Sequence, residues 1–201
     1  MRLMIVFFTC LAICLCTMPW AALGAGIVIS EIMYNSPGLT DIEYFEVYND
    51  SDAAIDVNGW TVLDSNDEHL KIPLVGVIAP RDVLVVAGDL TLFNLRYPGV
   101  TNVNPNAFEP NWKLANEGDS VRVFNAIDQL VDLVAYDEIP PWPFEADGSG
   151  PSLELIDPAL DNNLPTSWQA GPDGGNPGSY TAPSAVERKT WGAIKALYQL
   201  D

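Results

Sequence analysis

From residue 26 onward Gly, Pro, Asn and Asp cut the chain into short apolar or alternating runs, and this punctuation limits what it can become. "GIVISEIMYN" opens with β-branched residues, and "EYFEVYN" follows a Pro37-Gly38 turn. On a strand, Glu43, Phe45 and Val47 share one face, and Tyr44, Glu46 and Tyr48 share the other. Asn58-Gly59 marks a tight turn before "WTVLD". "HLKIP", "DVLVVAG", "SVRVFN", "QLVDLVAY" and "SLELID" complete the strand candidates. About eight short strands without long helices between them predict an all-β fold, an antiparallel β-sandwich of the immunoglobulin-like kind. In "DLTLFNLRYP", Asp89 is placed to cap a short helix carrying Leu92, Phe93 and Arg96, which Pro98 ends.

The ends read differently. Met1-Arg2, the apolar run Leu3–Cys16, Pro19 and the small residues Ala22-Leu23-Gly24-Ala25 have the form of a secretory signal over residues 1–25. Export to the cell envelope or beyond is therefore expected; the competing reading is an uncleaved anchor. Residues 26–181 make one sandwich domain. In residues 182–201, a linker leads to "WGAIKALYQLD", a short amphipathic helical tail with Trp191, Ile194 and Tyr198 near one face. All three cysteines (Cys10, Cys14, Cys16) lie in the signal, so the processed chain would hold together by packing, without disulfides.

The chain carries 27 acidic against 9 basic residues, for a net charge of −18. Such a surface repels a phosphate backbone, which argues against nucleic acid as a partner. Outside the signal there is one histidine, His69, and no cysteine, which excludes a zinc site of His and Cys ligands. There is no G-x-S-x-G elbow, no phosphate loop and no dinucleotide fingerprint. A carboxylate pair remains open as catalytic machinery, but Glu43 and Glu46 face opposite sides of their strand and cannot form it.

Calcium is the better chemical candidate. Asp64, Asn66, Asp67 and Glu68 make one oxygen-rich turn, and Asp157, Asp161 and Asn162 another. Neither follows the twelve-residue calcium loop, and ordinary turns use the same residue types. Trp112, Trp142 and Trp168 fall in loops, where flat rings would suit a sugar face or a protein pocket; the alternative is that they plug the core. "DEIPPWPFEADGSGPSLELIDP" concentrates prolines around Trp142. It reads as a strand exit, a corner kept extended by prolines and anchored by the Trp142 ring, an Asp147-Gly148 turn, and a returning strand with Leu153 and Leu155 on one face.

In their order, "VISEIMYN", "EYFEVYN", "GWTVLDSND", "GVIAPRDVLVVAGD", "LANEGDSVRVF", "VDLVAYD" and "PWPFEADGSGPSLELIDP" resemble the lamin tail domains found in exported bacterial proteins. "DNN", "SW" and "GNPG" follow in the same order, so the resemblance spans most of residues 27–178. One departure is the hairpin "FNAIDQLVD", where such domains commonly place a glycine. The resemblance implies an immunoglobulin-like sandwich with a non-catalytic role and brings no catalytic residue. The expected function is an exported binding or scaffold module for a protein or glycan. The alternatives are a carboxylate-based, calcium-dependent hydrolase and a passenger localised by its C-terminal tail.

Overall fold

The computed structural model describes residues 26–38 and 42–181; the expected signal and tail lie outside them. Among the described residues eleven strands run in the order β1 (Ile27–Met33), β2 (Tyr44–Asn49), β3 (Ile55–Asp56), β4 (Thr61–Leu63), β5 (Ile72–Pro73), β6 (Val77–Ile78), β7 (Val83–Ala87), β8 (Asp119–Phe124), β9 (Leu130–Tyr136), β10 (Pro151–Leu155) and β11 (Trp168–Asp173). Among the described residues one α-helix, α1 (Leu90–Arg96), sits between β7 and β8. One antiparallel sheet has the order β11-β10-β1-β2-β7, a second β5-β4-β8-β9, and β3 pairs with β6 alone.

The two larger sheets enclose the main core. Ile32, Phe45, Val47, Val86, Leu153 and Leu155 meet Val62, Val121, Val123 and Val134 there, all buried. Burying a side chain of this size contributes about 1.5–3 kcal/mol, enough for the interior to hold without a disulfide. The α-helix forms as its sequence prescribes: the Asp89 Oδ1 accepts hydrogen bonds from the Thr91 and Leu92 N–H groups at 2.7 and 3.0 Å. It lays Phe93 on the other side of the larger sheet, against a small cluster of Met33, Tyr44, Val85 and Ala87. That outer face is therefore covered too.

A bulge decides which residues of β1 face which way. Ile29 stands opposite Val47, but Glu31 stands opposite Glu46, so β1 has one more residue than β2 over this stretch. Strict alternation from Ile27 and Ile29 would aim Glu31 into the main core. The extra residue, Ser30, turns Glu31 outward and returns Ile32 to the inside.

The Pro-rich corner corrects one expectation. Residues 139–142 do not run extended; they close a turn in which the Ile139 carbonyl accepts the Trp142 N–H at 3.2 Å, and the Pro140–Pro141 peptide is cis. The remaining expectations for this segment hold. Trp142 is buried in the core, Gly148 takes φ 68° beside Asp147, and Leu153 and Leu155 both point inward. Asn35 ties the corner to the end of β1 by donating to the Asp147 Oδ1 at 2.7 Å.

Candidate functional site

The turn after β4 brings Asp64, Asn66, Asp67 and Glu68 into one stretch, but the side-chain oxygens of Asp64, Asn66 and Asp67 are engaged locally. The Asp64 Oδ1 accepts the Asn66 N–H at 3.0 Å, and its Oδ2 lies 2.6 Å from the His69 Nδ1. The Asn66 Oδ1 accepts the Glu68 N–H at 3.0 Å. The Arg122 guanidinium donates to the Asp64 carbonyl from Nε at 2.8 Å and bridges to the Asp67 Oδ1 at 2.8 Å. A fixed cation thus already stands beside the turn, while the Asp67 side chain extends into solvent. Among the described residues no group of three or more Asp, Glu, His or Cys side chains converges on a metal-sized point. In the second oxygen-rich turn, Asp157 and Asp161 accept the N–H groups of Ala159 and Asn163, and Asn162 is buried with its amide donating to Asp132. The bonds at Asp157 and Asp161 are those of ordinary Asx turns, and the Asn162–Asp132 bond is a tertiary tie to β9.

Trp112, Trp142 and Trp168 all prove to be core residues, Trp168 as the first residue of β11 and not in a loop, so as exposed contact rings they are corrected. Trp112 stands edge-on to Phe108 and Phe45, with ring centroids 4.1 and 6.0 Å away. The Trp168 Nε1 donates to the Asn162 carbonyl at 2.7 Å, and its ring tilts against Trp142 at 6.2 Å. Indoles bury more apolar area than any other side chain, so in a domain without disulfides they serve as plugs where loops cross the sandwich ends. The same corner that hides Trp142 leaves two other side chains out: Ile139 is 62% exposed and Phe144 65%. The sequence reading passed over both.

A groove of about 230 Å³ opens beside α1, lined by Glu43, Asp89, Leu92, Phe108, Glu109 and Trp112 among others. Two of its three acids already have structural duties. Asp89 caps the helix, and the Glu43 Oε2 accepts the Leu114 N–H at 2.8 Å.

The unusual electrostatics lie elsewhere, in a row across the outer face of the larger sheet. Glu31 pairs directly with Glu154 on one side and Glu46 on the other. Glu31 is 1% exposed and Glu46 0%. The Glu31 Oε1 accepts three hydrogen bonds, from the Ser152 hydroxyl at 2.6 Å, the Tyr44 hydroxyl at 2.7 Å and the Asn176 N–H at 3.1 Å. The Glu46 Oε1 accepts the Gly178 N–H. Burial raises the pKa of Glu31 above the ordinary carboxylate range and that of Glu46 well above it, and the charge of Glu31 adds to the shift at Glu46. A separate, half-buried acid, Asp132, accepts the Ile29 N–H at 2.6 Å at the β1 bulge, and desolvation raises its pKa as well.

The segment 174–180 closes over this row as a roof. A Cβ added to Gly175 would stand 2.0 Å from the Tyr44 Oη and 2.8 Å from the Glu31 Oε1, so only glycine allows so close an approach. The Tyr97 hydroxyl donates to the Gly174 carbonyl at 2.6 Å, and Tyr180 lays its ring edge-on to Tyr48. No acid of the row lines the groove beside α1.

The sequence model of the lamin tail domain matches residues 21–138. The chain belongs to the lamin tail domain family. Lamin tail domains are immunoglobulin-like and non-enzymatic as a family, in keeping with the sandwich found here. No curated protein matches the chain. The matched region of this lamin tail domain contains Glu31 and Glu46 but stops before β10 and β11. Those strands belong to the same sheet as β1, so the structural domain is longer than the match. The roof and Glu154 both fall in that added part.

Proposed function

We propose that this lamin tail domain is a non-catalytic, exported binding or scaffold module that takes a protein partner at the cell surface or outside the cell. The observation that carries the reading is the Pro-rich corner. Its backbone is pinned by the buried Trp142 and by the Asn35–Asp147 bond, while Ile139 and Phe144 stand in solvent. Large apolar side chains on a rigid support are what a protein contact uses, since little conformational freedom is lost when a partner covers them. A sugar platform loses its support because the three indoles that would have supplied it are inside. The signal-like residues 1–25 support export.

The test compares the full-length protein with a variant carrying Ile139→Ser and Phe144→Ser, both immobilised and exposed to envelope extract. Retention of one defined protein by the wild type and at least a tenfold loss in the variant, at matched unfolding temperature, is the expected result. Equal retention by both, or retention of glycan in place of protein, defeats the proposal.

A further inference from the structure

Beneath the roof, the acid row has acceptors that nothing in the chain satisfies. The Oε2 atoms of Glu31 and Glu46 are closed off from solvent and have no hydrogen-bond partner, and so is the Asn176 Oδ1. The three residues are held together: the Asn176 N–H donates to Glu31, and the Gly178 N–H two residues on donates to Glu46. The orientation of the Asn176 amide is set by its own donors. Its Nδ2 gives hydrogen bonds to the Ser179 carbonyl at 3.1 Å and the Glu154 Oε1 at 3.4 Å, which leaves Oδ1 as a bare acceptor. Two carboxyl groups and an amide oxygen, with these oxygens buried and unpaired, carry a large penalty unless a proton or a cation joins them.

We propose that Glu31 and Glu46 hold a calcium ion between the outer face of the larger sheet and the 174–180 roof, with the Asn176 Oδ1 as a third ligand. Every candidate ligand is oxygen, which suits a hard cation and excludes the nitrogen and sulfur sets of zinc. Calcium accepts irregular arrangements of six to eight oxygens, and water or backbone carbonyls would fill the remaining places. Magnesium demands near-octahedral order and keeps much of its water, a poor match for acceptors fixed by sheet register and a tight glycine turn. The ion would cancel the mutual repulsion of two glutamates placed directly opposite each other on neighbouring strands. It would also fasten the roof, which belongs to the last part of the described chain, onto strands from its beginning. This inference stands apart from the partner-binding reading, since Ile139 and Phe144 take no part in it.

The experiment is calorimetric titration of the full-length protein with calcium chloride after chelator treatment, paired with thermal unfolding in calcium and in chelator. Three variants are included: Glu46→Gln, Asn176→Ala, and Asp67→Asn in the surface turn. The wild type is expected to bind calcium with a measurable heat at a stoichiometry of one ion per chain. Its midpoint should rise by roughly 5 °C at a hundredfold excess over the dissociation constant. Glu46→Gln should abolish the response, Asn176→Ala should weaken affinity at least tenfold, and Asp67→Asn should leave it intact. Absence of heat and of any shift in the wild type overturns the proposal, and the pair is then held by shared protons alone. A response that survives in Glu46→Gln, or disappears in Asp67→Asn, also overturns it by moving the ion to the surface. If Glu46→Gln fails to fold, Asn176→Ala decides the outcome, and wild-type affinity there refutes the assignment.

Discussion

On the inner face of β1, β2 and β10, Ile32, Phe45 and Leu153 pack within the apolar core. One residue along each strand, on the outer face, stand Glu31, Glu46 and Glu154. Glu31 and Glu46 are as thoroughly buried as their inward neighbours. The two faces thus reach the same exclusion of water by different routes. Inside, apolar area does most of the work, and the side chains of Ile32, Phe45 and Leu153 need no specific partner. Outside, the 174–180 roof closes over carboxyl groups, and the cost of that closure depends on protons, donors or ions being in place. A buried strand residue is therefore not by itself a core residue. What separates the two faces is whether protonation can change their stability.

The largest expected contrast comes from removing an inner plug. Trp142→Ala should cost about 3–5 kcal/mol by lost burial and a residual cavity, at any pH, as read from denaturant unfolding. If stability is unchanged while partner retention is lost, the indole is a contact and not a plug.

The outer face should instead respond to pH. Glu31 and Glu46 have folded-state pKa values above the ordinary carboxylate value of 4.5, so the folded state holds their protons more tightly than the unfolded chain. Their stabilising contribution is thus fully present below the unfolded value and is lost as pH rises from there through the raised folded values. In chelator, unfolding free energy should fall over that window with a slope approaching about 1.4 kcal/mol per pH unit for each proton involved. Glu46→Gln should reduce the slope, and an identical slope in that variant would remove the distinction between the faces. The general repulsion of a chain with net charge −18 acts in the same direction, so the difference between variant and wild type is the informative quantity.

The smallest effect concerns the cover of the outer face. Asp89→Ala removes the carboxylate that caps α1 and should cost about 1 kcal/mol. Hydrogen exchange should accelerate in α1 and leave β8 unchanged; equal acceleration in both would mean that the helix does not protect one face selectively.

The strand candidates were legible because their alternation and turn residues are local signals. Each of the eight contains or overlaps an observed strand, and the cap at Asp89 behaved as its residue type predicts. β11 was missed because Gly171 and Pro172 in "WQAGPD" look like a turn; at the edge of a sheet proline is tolerated, and Gly171 packs where a Cβ would stand 2.7 Å from the Ser152 Oγ. The hairpin that lacks the usual glycine keeps the left-handed conformation at Asp128, with φ 60°, so only the residue type departs. The acid row was hidden for another reason. Parity along β2 correctly separated Glu43 from Glu46, but the partner of Glu46 lies on another strand, displaced by a bulge. Register across strands is a tertiary property and leaves no periodic mark. The one available hint was glutamate sharing a face with Tyr44 and Tyr48, where a solvated face would carry more polar neighbours.

β1 sits in the middle of its sheet, flanked by β2 and by β10, and Ser152 bonds to Glu31 across 121 positions of sequence. The centre of this sheet can therefore be completed only after nearly the whole domain has been made. Such non-local pairing places the protein among slow folders. A chain emerging from its beginning would hold β1 with one side paired and the other open, a template for any stray strand until residues 151–173 arrive. The order of synthesis and the order of assembly run against each other here, and the first strand made is among the last to be enclosed.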